Sequence, residues 1–193
     1  MRQRQNENQL YEVALQQFAS YGYKKTTLED IAAEMDMTGA SLYSYANSKR
    51  ELYHNCVAYG LKKWQAYVME ALDGIENPID YFSILCKSSI EYLNGDIAFR
   101  TILKRDPDIF PLFPEADPYE EINRDSFFML KEALDKGIKD GVFEKIDTLK
   151  ATTLLFSIYK TFIIETYIAN ETEEIMDSLP EMIQIILNGL KKR

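Results

Sequence analysis

An all-α fold is predicted by three features of this 193-residue sequence. Apolar residues recur at helical spacing along nearly the whole chain, strand-like alternation is almost absent, and Ser/Thr-x-x-Asp/Glu caps open several of the apolar runs. Hydrophobic residues make up 46% and the mean hydropathy is −0.30, the balance of a globular chain with enough apolar surface for a core. A chain of this length holds one large domain or two small ones sharing a core. The N-terminal MRQRQNENQ has basic residues but no apolar run behind them. No stretch reaches the ~18 uncharged apolar residues of a membrane span. The expectation is a cytoplasmic chain with no membrane partner. Cys56 and Cys86 lie in apolar helical patterns and read as small buried hydrophobes rather than a disulfide framework.

The elements follow in order. Leu10, Val13, Ala14, Phe18 and Tyr21 form one face of a first helix, which Gly22 ends. Thr27-Leu-Glu-Asp30 has capping-box spacing, and Leu28, Ile31, Ala32 and Met35 form the stripe of a two-turn second helix ending near Asp36. Thr38 caps a third helix. Ser48-Lys-Arg-Glu51 opens a fourth that runs to about Leu72. Further helices are expected near 79–94, 96–105, 119–140, 148–169 and 172–191. Between the second and third of these lies DPDIFPLFPEADP. Its prolines (Pro107, Pro111, Pro114, Pro118) forbid a helix, yet Ile109, Phe110, Leu112 and Phe113 must be covered. A packed connector and a flap or subunit contact are both open readings. Pro180 either kinks the last helix or marks its restart.

Charge divides the chain. Residues 1–53 carry six Lys/Arg against seven Asp/Glu, leaving 16 against 24 for the remainder of a chain whose net charge is −9. A near-neutral head can approach a polyanion that the acidic body would repel. The third helix is poor in large apolar residues: Leu42 is its main anchor, and Thr38, Gly39, Ala40 and Ser41 fill its first turn. Small side chains at a helix start let the backbone and its unpaired N–H groups approach a phosphate. Tyr43 and Tyr45 add hydroxyls, and Lys49 adds a cation from the next helix start. Helix, short turn and small-residue helix is the layout of a helix-turn-helix, whose second member enters the major groove.

The stretch FASYGYKKTTLEDIAAEMDMTGASLYSYANSKREL resembles the DNA-binding domain of the tetracycline-repressor (TetR/AcrR) family. It shows an aromatic and Gly before Thr-Thr, Asp-Ile-Ala, a small-residue recognition helix, Leu-Tyr-x-Tyr, and Ser-Lys before a long fourth helix. Asp36 stands where the turn usually carries Gly, Ala40 where Gly is frequent, and Ala46 where a Phe often packs. The resemblance implies a three-helix DNA-binding domain over 1–53, with its motif at about 27–46, and a helical effector-binding and dimerisation domain over 54–193. It implies that Thr26 and Thr27 cap the second helix and donate to phosphate. Thr38 and Ser41 hold the recognition helix on the backbone, Tyr43 and Tyr45 reach phosphates or a thymine methyl, and Lys49 pairs with a phosphate. Gly39, Ala40 and Ser44 face the base edges, and none can make a bidentate base contact. Specificity then falls to methyl contacts, water, DNA shape, or an N-terminal arm with Arg2 and Arg4.

In the body, the last two expected helices are apolar on more than one face, so a second copy is expected to cover them, with Phe156, Ile163, Tyr167, Met182 and Ile186 at the contact. Two-fold dimers are also what the resemblance implies. Most body aromatics read as core, but Trp64, Phe99, Phe127 and Tyr159 are candidates to line a largely apolar pocket for a small-molecule effector. The expected protein is a dimeric regulator, a repressor, binding a palindromic double-stranded DNA operator and relieved by that effector. A DNA-binding dimer without a sensor is one alternative; a helical carrier or enzyme is another. The single histidine, His54, has Cys56 two residues on and so on a different face. Neither a nucleophilic dyad nor a metal-spaced cluster is present, and no enzyme activity, metal or cofactor is expected.

Overall fold

The computed structural model describes residues 2–106, 109, 117–168 and 177–192, and among these the chain forms nine α-helices. They are α1 (Arg2–Tyr21), α2 (Leu28–Glu34), α3 (Gly39–Leu42), α4 (Lys49–Leu72), α5 (Pro78–Gly95), α6 (Ile97–Arg105), α7 (Glu120–Lys139), α8 (Thr148–Ile163) and α9 (Leu179–Leu190). A π-helical turn, Ile164–Ile168, extends α8. The N-caps expected at Thr27, Thr38 and Ser48 accept from the N–H of Asp30, Ser41 and Glu51. Asn77 caps α5 in the same way, ahead of Pro78.

α1–α3 and the start of α4 make the head. Gly22 ends α1 at φ +83, and Asp36 adopts φ +52 in the α2–α3 turn, the left-handed region that Asp tolerates better than most residues. Two expectations change here. α1 begins at Arg2, so Arg2 and Arg4 belong to a helix rather than a free arm. α3 is a single turn, continued to Ala46 by tight bonds from the N–H of Ser44 to Ser41 O and of Tyr45 and Ala46 to Leu42 O. Four residues carry too few aligned peptides for a large dipole, so the small side chains matter more there than the field.

α4 is the central element. Leu52, Cys56, Gly60, Trp64, Val68 and Leu72 are all buried and fall every fourth residue, one continuous ridge from head to body. Gly60 is the notch in that ridge: a Cβ there would meet the Phe99 ring of α6 at 2.5 Å. The core runs unbroken from Leu10, Phe18, Ile31 and Leu42 in the head to Phe82, Phe99, Ile102 and Leu134 in the body. Polar bonds bridge the same junction. Lys63 Nζ and Tyr59 OH both donate to Glu12 on α1, Tyr53 OH donates to Asp106, and an Arg105 nitrogen donates to Phe18 O. The lone His54 meets Tyr119 OH at 3.0 Å, and Cys56 is buried, so both are packing residues.

At the C-terminal end, α7, α8 and α9 close the body. Pro180 sits in the first turn of α9, so it marks a start and not a kink. The π-turn separates Thr166 from the back-bonding that Thr152 and Thr161 make to the carbonyl four residues earlier; its buried hydroxyl has no hydrogen-bond partner. Ile163 and Tyr167, expected at a subunit contact, are 0% and 4% exposed within this chain, and Tyr167 OH donates to Ile90 O and Asn94. They are core residues because the π-turn folds inward against α5 and α6. Of the proline-rich stretch, Ile109 is buried in the core, while Phe110, Leu112 and Phe113 lie outside the described residues.

Gly137, near the end of α7, accepts the N–H bonds of Val142 and Phe143, and the Phe143 ring occupies the space a Cβ would need. Gly137→Ala is therefore expected to lower unfolding stability by about 1–3 kcal/mol in urea denaturation, through overpacking that helix propensity does not offset.

Candidate functional site

The expected DNA-facing residues cluster on one surface of the head, but they fall into three groups. Thr26 is the clearest departure. It is 1% exposed, and its hydroxyl donates to Gln17 O and Gly22 O, which ties the α1–α2 link to α1. It cannot reach a phosphate; adjacent threonines alternate faces, and only Thr27 stays outside.

Thr27, Thr38, Gly39, Ala40, Ser41, Tyr43 and Ser44 are on or near the surface. The hydroxyls are already organised within their own turns. Thr27 Oγ1 donates to Asp30 Oδ2 at 2.6 Å while accepting from Asp30 N. The Thr38 and Ser41 hydroxyls hydrogen-bond at 2.8 Å, and Ser44 donates to Ser41 O. The donors left on α3 are therefore the first-turn N–H groups of Gly39 and Ala40, the one hydroxyl proton that the Thr38–Ser41 bond does not use, and the Tyr43 hydroxyl, on a side chain that is 56% exposed. Tyr45 is half-buried against the core and contributes mainly packing. Hydrogen bonds from the Thr27 side chain and backbone hold the Asp30 carboxyl below its usual value. The capping box is thus intact above the ordinary carboxylate range and is lost as pH falls through the lowered value.

Lys49 takes a role its position in sequence did not reveal. Its ammonium donates to Thr26 O at 3.1 Å and Lys24 O at 3.5 Å and lies 4.7 Å from the centre of the Tyr23 ring. Tyr23 packs in turn against Phe18 and Tyr53. Lys49 therefore clamps the link that displays the exposed Lys24 and Lys25. The signal in the sequence was the aromatic Tyr23 in YGYKK, but only the fold brings that ring beneath Lys49.

A second candidate lies in the body. α4, α5, α7, α8 and α9 line a partly open cavity of about 80 Å³. Leu61, Trp64 and Val68 form one wall, Phe82 and Leu85 another, and Phe156, Tyr159 and Phe162 a third. Trp64 and Tyr159 line it as expected from their type. Phe99 and Phe127 do not; each backs a lining ring, Phe99 edge-on to Trp64 and Phe127 edge-on to Phe156. Phe156, Met182 and Ile186, expected at a subunit contact, line the cavity instead, because those faces of α8 and α9 turn toward α4 and α5. Trp64 Nε1 donates to Ser89 O, and burial pushes the Cys86 thiol up to about 12, which keeps it protonated. No group of metal-binding side chains occurs among the described residues.

The head and the known families agree. The family described as "Bacterial regulatory proteins, tetR family" matches residues 10–56, which span α1 to the first turns of α4. HTH-type transcriptional repressor KstR2 of Mycobacterium tuberculosis is 27% identical over 135 residues, covering 70% of this chain and 68% of that one. Over residues 10–56 the chain matches the TetR family of transcriptional regulators. Its fold is shared along nearly its whole length with the fatty acid degradation regulator FadR from Bacillus halodurans, at a TM-score of 0.78 and 18% identity over 97% of both chains. FadR from Bacillus subtilis, solved in complex with stearoyl-CoA, matches at 0.76 and 14% identity over 94% of this chain and 97% of that one. Among the described residues no helix is long and apolar enough to cross a membrane.

Lys49→Met keeps the stem but removes the clamp. It is expected to cost about 1–2 kcal/mol in urea denaturation. The salt dependence of DNA binding should meanwhile change by less than one phosphate contact's worth of slope.

Proposed function

We propose that this chain is a TetR-family transcriptional repressor that acts as a homodimer on a palindromic operator, with residues 1–53 as the reading head and residues 54–193 as an effector-sensing and dimerising body. The observation that carries the reading is the bare α3 surface: Gly39 and Ala40 leave backbone N–H groups open beside the exposed Tyr43, on a head anchored by α4. Thr27, Thr38 and Ser41 frame that surface, and Lys24 and Lys25 flank it with positive charge. With Gly39, Ala40 and Ser44 toward the bases, most of the affinity comes from phosphates and most of the specificity from shape and methyl contacts.

Dimerisation is supported by the outer faces of the last helices. Leu154 on α8 and Ile185 on α9 are 67% and 72% exposed, an apolar surface that a second copy would cover. The effector reading is supported by the apolar cavity, and the stearoyl-CoA complex of the Bacillus subtilis neighbour shows that this fold can hold a ligand with a long apolar chain. Ligand and operator would then compete through α4, which is cavity wall at Trp64 and head anchor at Leu52.

Two measurements test this. In an operator found by selecting genomic fragments with the purified protein, Tyr43→Ala should weaken binding and lower the slope of log K against log salt by at most about 0.9, one phosphate contact. Unchanged affinity at moderate salt would remove Tyr43 from the interface. Leu154→Glu should convert the dimer to a monomer by light scattering; a dimer that persists would place the subunit contact elsewhere.

A further inference from the structure

If the cavity is the sensor proposed above, its polar chemistry restricts what it accepts. None of its described lining residues carries a charge. The stretches 107–116 and 169–176, outside the described residues apart from Ile109, contain Asp and Glu but no Lys, Arg or His. No cation from them can neutralise an anion inside. Around the lining, Lys160 is engaged with the Phe156 ring at 5.6 Å, and the charged partner of Asn123 is a carboxylate, Asp117 Oδ2, at 2.7 Å. An anion drawn into this space would lose its hydration without gaining a counter-ion.

The uncharged polar groups are unevenly placed. On the α5 side they are committed: the Trp64 indole N–H to Ser89 O and the Ser89 hydroxyl to Leu85 O. On the α4 and α7 side, Gln65 Nε2 spends both hydrogens, on Ile122 O at 2.5 Å and Ser126 Oγ at 2.8 Å. That fixes the amide and leaves its carbonyl oxygen as an acceptor, beside a Ser126 hydroxyl proton that Gln65 does not use. An acceptor and a donor side by side, with no charge, match a hydroxyl or carbonyl group.

We infer that the cavity binds an uncharged, largely apolar molecule whose single hydroxyl or carbonyl group docks between Gln65 and Ser126. Ionised carboxylates are rejected, and the selectivity comes from the absence of any cation in the wall.

Three probes of equal chain length separate the possibilities on the full-length protein by calorimetric titration at neutral pH: n-octanol, octanoate and octyltrimethylammonium. The expected result is that n-octanol binds at least roughly tenfold more tightly than either ion. Gln65→Leu and Ser126→Ala should each weaken n-octanol by roughly threefold to tenfold, the loss of one net hydrogen bond. A thermal midpoint measured without ligand verifies that each variant is folded. Octanoate binding as tightly as n-octanol would overturn the inference while leaving the sensor intact, as would a preference for octyltrimethylammonium. Binding by none of the three would overturn both the inference and the sensor, whereas operator binding, measured separately, would still report on the head.

Discussion

One contact surface underlies everything else in this molecule: the buried ridge of α4 and the ring of Phe99 seated on its glycine. Six buried residues spaced four apart turn a 24-residue helix into a single rigid strut. Because Gly60 has no Cβ, the Phe99 ring reaches the α4 backbone, and α6 is held against α4 where head and body join. Close packing of this kind has few intermediate positions, so a side chain added at Gly60 would push the Phe99 ring, and α6 with it, off α4.

Around that strut the polar bonds are local and serve to orient. Glu12 receives both Lys63 and Tyr59, and the Lys63 hydrogen bond is the main cause of its lowered pKa. Tyr53 is buried and bonded to Asp106, and its phenol is pushed well above its ordinary value, first by burial and then by that carboxylate. Both sets pair α4 with the elements that flank it, α1 on one side and the end of α6 on the other. The exposed ion pairs contribute little to stability in water, but they fix the angle at which the head is carried.

The same economy of charge appears in the two candidate sites. On α3, hydroxyls are tied into their own turns, so the surface offered to a duplex is mostly backbone and one tyrosine. In the cavity, Trp64 and Ser89 spend their donors on neighbouring carbonyls, while the Gln65 carbonyl oxygen and the Ser126 hydroxyl proton are left over. In each case recognition rests on which hydrogen-bonding groups the fold leaves unspent rather than on strong charges.

The helices and their order are written locally in the chain. The caps at Thr27 and Ser48 and the 3.6-residue stripes are signals readable without knowing what packs on what. The helix-turn-helix was legible for the same reason, including the left-handed Asp36. Roles were assigned by packing. Thr26 and Thr27 are neighbours in sequence, and only the placement of α1 under the link buries one of them. Lys49 was chemically suited to a phosphate but finds two carbonyls and an aromatic ring first. Ile163 and Tyr167 looked like interface residues because sequence reports how apolar a helix is, not which of its faces is covered by the chain's own elements. Both are buried within this chain, whereas Leu154 and Ile185 stay exposed. Burial is a property of pairs of distant segments, and distant pairs are the information a single sequence does not carry.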